Sequence, residues 1–419
     1  MGSRGRGTAL NNFLTQFDRR VWALFVGRII SATGFSIVIP FLSIYFYVDL
    51  GIPMTTIGLV FLVSTGFGAL GQIIGGEVAD RFGRRNIMIL AMSSRALIFV
   101  GISVVIYYVN DFLSIAALVV CSSFVGSLFE PATNAMIADV VAPSKRLEAY
   151  GLLRIGQNIG WTLGPLLGGL LAIWGYSTLY LLTAICSATV AVIIFLFVKE
   201  SCRRDLGRKI LSLFDLKQLR EHALPFLLFS FFSIFLWLVM AQMSSVYSVY
   251  STEEVGMSLT EIGYLYAVNG IIVVVAQLPL ARYIVRFRMT SVTAVGALVY
   301  AAGYFSVAFA TSFWMLAGSM VVITLGEIIT SPSSMNLVAN LSPENERGRY
   351  MGIFGLFTST GWSLGPFVGG VLYDAFKGEP FLLWGGVAIF AIVSAIGYFG
   401  LRAVLSEDLD RVGGRGTKS

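Results

Sequence analysis

Several ionisable side chains lie inside long apolar segments of this 419-residue sequence, where a charge is costly and usually serves a function. Glu327 lies near the middle of the apolar segment 313–338, with no basic residue close to it in sequence. A carboxyl group in such surroundings can exchange a proton or bind a cation near neutral pH. The alternative is a protonated side chain that only forms a hydrogen bond between helices. We predict the proton or cation site.

Further charged residues lie in other apolar segments, among them Glu130 at a depth similar to that of three arginines. Glu130 is followed directly by Pro131, and we expect at least one arginine to pair with it. Such a pair is equally consistent with a proton relay and with a fixed buried ion pair. Asp139 lies near the end of its segment, where a charge is less costly, and it is a second candidate for proton coupling. The candidate arginines are Arg28, Arg95 and Arg154, of which Arg28 could also extend to the membrane surface.

The segments that position these residues are themselves a strong signal. Hydrophobic residues make up 56% of the chain and charged residues 12%, compared with about 25% charged residues in soluble domains. This composition excludes a water-soluble or disordered protein, and the long unbroken runs exclude a β-barrel. Because about 20 apolar residues cross a membrane as a helix, the sequence predicts an all-α membrane protein with twelve transmembrane helices. The predicted segments are 21–48, 56–79, 86–108, 112–138, 148–173, 177–198, 224–250, 259–284, 290–309, 313–338, 348–373 and 380–404.

Basic residues fall in alternate loops, and this pattern predicts the orientation in the membrane. Nearly all of the 29 Lys and Arg residues lie at the termini or in the loops 81–85, 145–146, 199–223, 282–288 and 347–349. Loops rich in Lys and Arg stay on the cytoplasmic side, so both termini and the central linker are predicted to be cytoplasmic. The net charge of +6 then indicates contact with anionic membrane lipid rather than nucleic acid, in a multi-pass protein of the cell membrane.

Residues for enzymatic, metal or nucleotide chemistry are scarce. The sequence has one histidine, His222, and three cysteines without a CxxC pair, which predicts neither a metal site nor a disulfide framework. It has no phosphate-binding loop, which argues against ATP-driven pumping. We therefore predict that the protein is not an enzyme, needs no cofactor and uses a proton gradient as its energy source.

An internal repeat divides the sequence. The residues GWTLGP at 160–165, followed by Gly168 and Gly169, recur as GWSLGP at 361–366, followed by Gly369 and Gly370. We infer two pseudo-symmetric six-helix bundles, 1–198 and 224–419, joined by a cytoplasmic linker, 199–223, whose apolar pattern among Lys and Arg predicts an amphipathic helix. Duplicated transporters of this kind place a substrate site near the middle of the membrane and rock their halves to give alternating access.

These motifs resemble those of the major facilitator superfamily, and the resemblance covers the whole chain. The loop GEVADRFGRR at 76–85 matches the family's loop motif, and the glycine pattern over 151–169 matches its helix 5 antiporter motif. The pattern over 352–370 matches that motif again, and Gly34 with Pro40 matches a weaker motif of drug exporters. The resemblance implies the major facilitator fold and the drug:proton antiporter branch. It also implies a gating loop whose ion pairs break as the halves rock, formed by Gly76, Asp80, Arg81, Gly83, Arg84 and Arg85.

The repeated glycines have a packing rationale of their own, because small residues one turn apart let two helices approach closely. We expect them to pack helix 5 against helix 8 and helix 11 against helix 2, with little contact to a solute. The positions are Gly151, Gly160, Gly164, Pro165, Gly168 and Gly169 in the first half, and Gly352, Gly361, Gly365, Pro366, Gly369 and Gly370 in the second.

Two positions depart from the family pattern. The arginine usual in helix 4, four residues before Gly126, is replaced by Ser122, so that Arg28, Arg95 or Arg154 would have to substitute for it. The loop 278–288, which corresponds to the first-half loop motif, keeps arginines but has no aspartate. In the exporters that this sequence resembles, the acids that match Asp139 and Glu327 carry proton coupling and substrate recognition.

Aromatic, methionine and amide residues at mid-depth outline a cavity that suits an amphiphile, and Glu327 would favour a cation there. We therefore predict a monomeric, proton-coupled secondary transporter that exports amphiphilic or cationic small molecules such as drugs. A symporter or uniporter of a metabolite or lipid is the first alternative, and a non-transporting receptor on the same fold is the second. The predicted cavity residues are Phe35, Trp237, Met240, Gln242, Met243, Tyr247, Tyr264, Asn269, Phe357 and Trp362.

Overall fold

Each apolar segment of the sequence forms a helix, since a backbone surrounded by hydrocarbon must satisfy its own hydrogen bonds. The computed structural model describes residues 17–201, 223–343 and 347–411, and these ranges contain twelve long helices. The predicted all-α architecture is confirmed, and the helix ends agree with the predicted segments to within one turn. The helices are α1 Arg19–Asp49, α2 Met54–Phe82, α3 Arg84–Tyr108, α4 Phe112–Val140, α5 Arg146–Leu171, α6 Tyr176–Phe197, α7 Leu224–Glu253, α8 Leu259–Ile284, α9 Met289–Phe309, α10 Phe313–Leu341, α11 Arg347–Ala375 and α12 Pro380–Val404.

Ten of these helices are long and apolar enough to cross a membrane, among the residues that the structure describes. The two helices outside that set are α5 and α11, which carry the repeated glycine motif. Their glycines and polar residues lower the mean hydropathy, as is typical of a helix whose main contacts are with other helices rather than with lipid. The chain is a multi-pass membrane protein.

Helix α4 is interrupted close to its acidic residue. It consists of Phe112–Ser127 and Phe129–Val140, with Leu128 between them. Pro131 has no amide hydrogen to donate to the carbonyl of Ser127, so one helical hydrogen bond is missing here. The Leu128 amide donates to the carbonyl of Val125, three residues before it, at 3.2 Å. The interruption therefore lies two residues before Glu130.

The chain divides into two compact units. The first consists of Met1–Phe41 and Val63–Arg208, and the second consists of Leu42–Leu62 and Lys209–Ser419. This division differs from the predicted halves, since the end of α1 and the start of α2 belong to the second unit. Within that unit the Asp374 carboxylate accepts hydrogen bonds from the backbone amides of Met54 at 3.0 Å and Thr55 at 2.8 Å. The predicted amphipathic helix of the linker lies outside the described residues.

In the first unit, the repeated glycines of α5 lie against α1. A Cβ atom at Gly160 would come within 2.5 Å of Ala32, and one at Gly164 would overlap the Ser36 hydroxyl. Gly168 is equally close to Ile37 and Phe41, so the three glycines form one stripe along α1. These three glycines pack on α1, a helix that the sequence did not indicate, since a small residue shows that a helix comes close but not which helix it is. The packing of helix 5 on helix 8 stays a prediction.

In the second unit, the glycines of α11 lie mainly against α7. Gly361, Gly365 and Gly369 face Ile234, Leu238 and Gln242, at distances that leave no room for a Cβ atom. The predicted contact with helix 2 holds for Gly370, where a Cβ atom would overlap the carbonyl oxygen of Met54. At Gly151 and Gly352, which begin the two motifs, a Cβ atom would meet nothing within 4 Å, so close packing does not require glycine there.

Candidate functional site

Glu327 is held by an ordered set of hydrogen bonds between α8 and α10. The Asn269 side-chain nitrogen donates to the Glu327 carboxylate at 3.1 Å and to the Thr324 hydroxyl at 2.9 Å. Thr324 in turn donates its hydrogen to the carbonyl of Met320 at 2.7 Å, so its oxygen is left to accept from Asn269. This chain of bonds directs the Asn269 amide hydrogen at Glu327. Two of the predicted site residues, Glu327 and Asn269, are thereby brought together.

The Glu327 carboxylate has no cationic partner among the described residues. Its surroundings are aromatic: the ring of Tyr300 packs on the neighbouring Gly326, where a Cβ atom would come within 2.9 Å of it. Tyr300 stacks on Tyr304, which stacks on Trp384 with ring centroids 5.9 Å apart. The sequence-based prediction omitted these three buried rings. Their signal is a tyrosine pair one turn apart in α9 and a tryptophan in α12, both in otherwise apolar helices.

Two of the predicted cavity residues have packing roles instead. Gln242 is fully buried and its amide nitrogen donates to the carbonyls of Leu238 at 2.9 Å and Gly365 at 2.8 Å, which joins α7 to α11. Tyr247 is also fully buried, and its hydroxyl donates to the carbonyl of Leu316 at 3.2 Å. We therefore remove both residues from the predicted cavity, since neither presents a surface to a solute.

The other predicted cavity residues of the second unit are partly accessible. Trp237 and Trp362 meet edge to face with ring centroids 6.1 Å apart, and Tyr264 is 44% exposed. The carbonyl of Met243 accepts a hydrogen bond of 2.6 Å from Tyr266, so α7 is fixed to α8 at this level. Met240, Met243 and Phe357 are half-buried.

In the first unit, Glu130 pairs with Arg28. Their side chains approach to 2.5 Å between the Arg28 Nη2 and a carboxylate oxygen, which confirms that an arginine partners this acid. Arg154 is exposed and forms no ion pair with a described residue. Arg95 is buried, and its Nε donates to Ser122 at 3.4 Å. A guanidinium group from α3 thus lies beside the position on α4 where the family pattern has an arginine.

Residues of the predicted gating loop form ion pairs within the first unit. Arg84 pairs with Asp139 and lies 3.5 Å from Asp80, while Arg81 pairs with Glu77. Asp139 also accepts a hydrogen bond of 2.7 Å from the Ser201 hydroxyl. These contacts place Asp139 at the loop end of α4, in the same network as the gating loop rather than beside Glu130.

The sequence-based prediction missed Glu200, which lies just beyond α6. Its carboxylate accepts hydrogen bonds from the backbone amides of Arg84 at 3.1 Å and Arg85 at 3.0 Å, the first two residues of α3. The preceding Gly83 has a φ of 98°, a conformation that favours glycine, and has no side chain to cap the helix itself. A helix start after a glycine, with no Ser, Thr or Asp beside it, is the signal that could have indicated a distant acceptor.

Gly83→Ala should destabilise the protein more than the matched variant Gly175→Ala. Both glycines have φ near 90° and precede a helix, so each substitution costs about 1–3 kcal/mol in backbone strain. Only at Gly83 would the new Cβ meet Glu200, at 2.6 Å, whereas it would meet nothing within 4 Å at Gly175. Displacing Glu200 should add about 1 kcal/mol, the value of a helix cap. Apparent melting temperatures of the two purified variants measure the difference; equal values would show that Glu200 contributes nothing.

Known proteins that this chain resembles are membrane transporters. The family model described as Major Facilitator Superfamily matches residues 24–254 and 236–415. Multidrug resistance protein MdtH of Aeromonas hydrophila is 28% identical over 373 residues, which cover 87% of this chain and 90% of that protein. A Na(+), Li(+), K(+)/H(+) antiporter of Planococcus maritimus is 25% identical over 385 residues, which cover 84% and 89%. The solved structure of a POT family transporter in complex with a thioalcohol conjugated peptide has the same fold, with a TM-score of 0.75, 14% identity and coverage of 92% and 96%.

Proposed function

The chain belongs to the Major Facilitator Superfamily, and we propose that it is a proton-coupled antiporter that exports amphiphilic or cationic small molecules. As a member of this family it is a non-enzymatic secondary transporter of a small molecule. The observation that carries the proposal is the Glu327 carboxylate on α10, with its single described hydrogen bond from Asn269 and no described cation beside it.

A carboxylate in this position can bind either a proton or a cationic substrate, but not both. The aromatic rings of the second unit exclude water and accept the apolar body of an amphiphile, while their faces favour a positive charge. Protonation removes the negative charge that holds the cation, so proton entry from one side promotes release of the substrate. Alternating access then couples the two fluxes in opposite directions.

Relatives support the direction of transport in this proposal. One of the similar proteins is named a multidrug resistance protein and another is named a cation/proton antiporter, at identities of 28% and 25%. We further propose that the protein works as a monomer in the cell membrane, with both termini in the cytoplasm. The proposed orientation follows from the alternation of basic loops in the sequence.

Proteoliposomes with an imposed pH gradient test the proposal. With ethidium as the probe, an antiporter accumulates the cation in vesicles with an acidic lumen, because protons leave as ethidium enters. Accumulation only when the outside is acidic would indicate a symporter, and equilibration of ethidium across the membrane at a rate that does not depend on the pH gradient would indicate a uniporter. Binding of ethidium without any gradient-driven or downhill flux would indicate a receptor, and each of these three results contradicts antiport.

A further inference from the structure

Arg95 on α3 is a buried cation for which the described part of the chain provides no carboxylate. The residue is only 9% exposed, and its described hydrogen bond is the one of 3.4 Å from Nε to the Ser122 hydroxyl. A charge in an apolar helix is costly unless other groups compensate it, and such charges usually serve a function. The groups around Arg95 indicate what kind of partner it takes.

Two aromatic rings and a glycine enclose the Arg95 guanidinium group. Its central carbon lies 4.5 Å from the centroid of the Phe35 ring on α1 and 5.2 Å from that of Phe99 on α3. On α4, a Cβ atom at Gly126 would come within 3.0 Å of Nε, Cζ and Cδ of Arg95. The rings attract the cation through their faces, and the glycine leaves the room that a planar group needs.

The terminal nitrogens of Arg95 are not used by these contacts. A guanidinium group has five N–H donors in one plane, and ring faces stabilise its charge without supplying the in-plane acceptors that a carboxylate would offer. Nη1 and Nη2 donate to no described residue. They are also not among the described buried polar atoms without a partner, so they stay accessible. The donor fork is therefore held in place and left available.

The other two candidate arginines of the first unit differ from Arg95. Arg28 already pairs with Glu130 at 2.5 Å, so its charge is compensated. Arg154 is exposed and is not enclosed by rings. Arg95 combines burial, a fixed orientation and free donors, which are the features of a binding site for an anion rather than of a surface charge.

We infer that Arg95 binds the carboxylate group of an amphiphilic substrate. The planar fork of a guanidinium group matches a carboxylate with two parallel hydrogen bonds. Phe35, which meets Trp161 edge to face at 6.3 Å, provides an aromatic surface for the apolar body of the same molecule. The inference rests on the proposed transport function and deepens it, because it adds acidic and zwitterionic amphiphiles to the cationic substrates.

Equilibrium binding tests the inference without any proton gradient. The probes are 1-naphthoate and 1-naphthamide, which share a ring system and differ in charge, added to the purified full-length protein in a neutral detergent at about pH 7.5, where a carboxylic acid is ionised. We expect saturable thermal stabilisation by naphthoate, with binding at least about tenfold tighter than that of naphthamide. Arg95→Gln should abolish this preference, and Arg95→Lys should keep part of it because lysine retains the charge but not the planar fork.

Arg19→Gln is the matched control, since it removes one exposed positive charge from the first unit and should leave the preference unchanged. Equal binding of both probes to the unmodified protein, or an undiminished preference in Arg95→Gln, would overturn the inference. If Arg95→Gln does not fold, Phe35→Leu provides the second test, and naphthoate binding that it leaves unweakened would count against the site. The binding assay does not depend on proton coupling. A negative binding result would therefore not argue against the role of Glu327, and a negative transport result would not argue against carboxylate binding by Arg95.

Discussion

Glu327→Gln should reduce proton-driven transport of a cation by about a hundredfold while leaving the folded protein in the membrane. Glutamine has nearly the same shape as glutamate, and its amide oxygen can still accept the hydrogen bond that Asn269 donates to Glu327 at 3.1 Å. The contact between α8 and α10 is therefore retained. Glutamine cannot gain or lose a proton and cannot attract a cation through a charge, so the step that couples the two fluxes is removed.

The measurement is ethidium accumulation in proteoliposomes with an acidic lumen. We expect Glu327→Gln to reduce it by about a hundredfold, which is the usual scale for the loss of a proton-transfer group. Glu379→Gln is the matched control, because Glu379 is an exposed carboxylate just before α12 and its substitution should leave transport unchanged. Full proton-driven accumulation by Glu327→Gln would remove the assignment of this residue.

Asn269 provides a second variant on the same site. Asn269→Leu removes the hydrogen bond to the carboxylate, and we expect a loss of about tenfold, since a bond to a charged group contributes about 1.5–3 kcal/mol. In the Glu327→Gln background the same substitution should cause no further loss, because residues that act as one unit are not additive. Independent, additive losses would show that Asn269 acts elsewhere in transport.

The helices follow from the sequence because the membrane sets both their length and their composition. A segment that must cross about 30 Å of hydrocarbon has to be apolar over about 20 residues, so α1 to α12 could be located without any structure. That an arginine pairs with Glu130 was predictable for a related reason, since an acid at that depth requires a partner, but the sequence left open which of Arg28, Arg95 and Arg154 it is. Glu327 was singled out because an ionisable side chain inside an apolar helix is costly and usually functional, and Asn269 because it is an amide at mid-depth.

The identity of contact partners did not follow from the sequence. Gly164 indicates that a backbone approaches closely, but its packing on Ser36 of α1 depends on how the bundle is arranged. Gln242 has the residue type of a solute contact, yet its amide is used by the carbonyl of Gly365. Helix starts were the clearest omission, since α3 and α9 begin after Gly83 and Arg288, neither of which caps its helix with a side chain.

Asp410→Ala should lower the stability of the second unit by about 3 kcal/mol, because it removes a buried carboxylate that pairs with Arg288. The loop 278–288, which contains Arg288, has no acid of its own. Asp410 is fully buried, and its carboxylate accepts hydrogen bonds from Arg288 Nε at 2.7 Å and from the Thr290 amide at 2.7 Å. Its own backbone carbonyl accepts from the Met289 amide, also at 2.7 Å. The segment that follows α12 therefore caps the start of α9, as Glu200, which follows α6, caps the start of α3.

Alanine at position 410 would leave the Arg288 charge without its carboxylate and the Thr290 amide without an acceptor. Asp410→Asn should cost less, since the amide oxygen can still accept from the Thr290 amide although the charge and the oxygen that accepts from Arg288 are lost. The apparent melting temperature of the purified protein measures both variants. Asp408→Ala is the matched control, because Asp408 is exposed and lies two residues away in the same segment. An equal decrease in the melting temperature of Asp408→Ala would show that the effect does not come from the contacts of Asp410.

A second substitution separates the ion pair from the cap. Arg288→Met in the Asp410→Ala background removes the charge that was left unpaired, so it should restore part of the lost stability although it takes away another polar side chain. If the two side chains instead stabilised the protein independently of each other, Asp410→Ala and the added Arg288→Met would each lower its stability. The Met289 amide keeps its bond to the backbone carbonyl of residue 410, so the remaining deficit of the double variant measures the helix cap at Thr290, which we expect to be about 1 kcal/mol. Recovery in the double variant, together with a smaller cost for Asp410→Asn, would show that the segment after α12 supplies the acid that the second loop does not have.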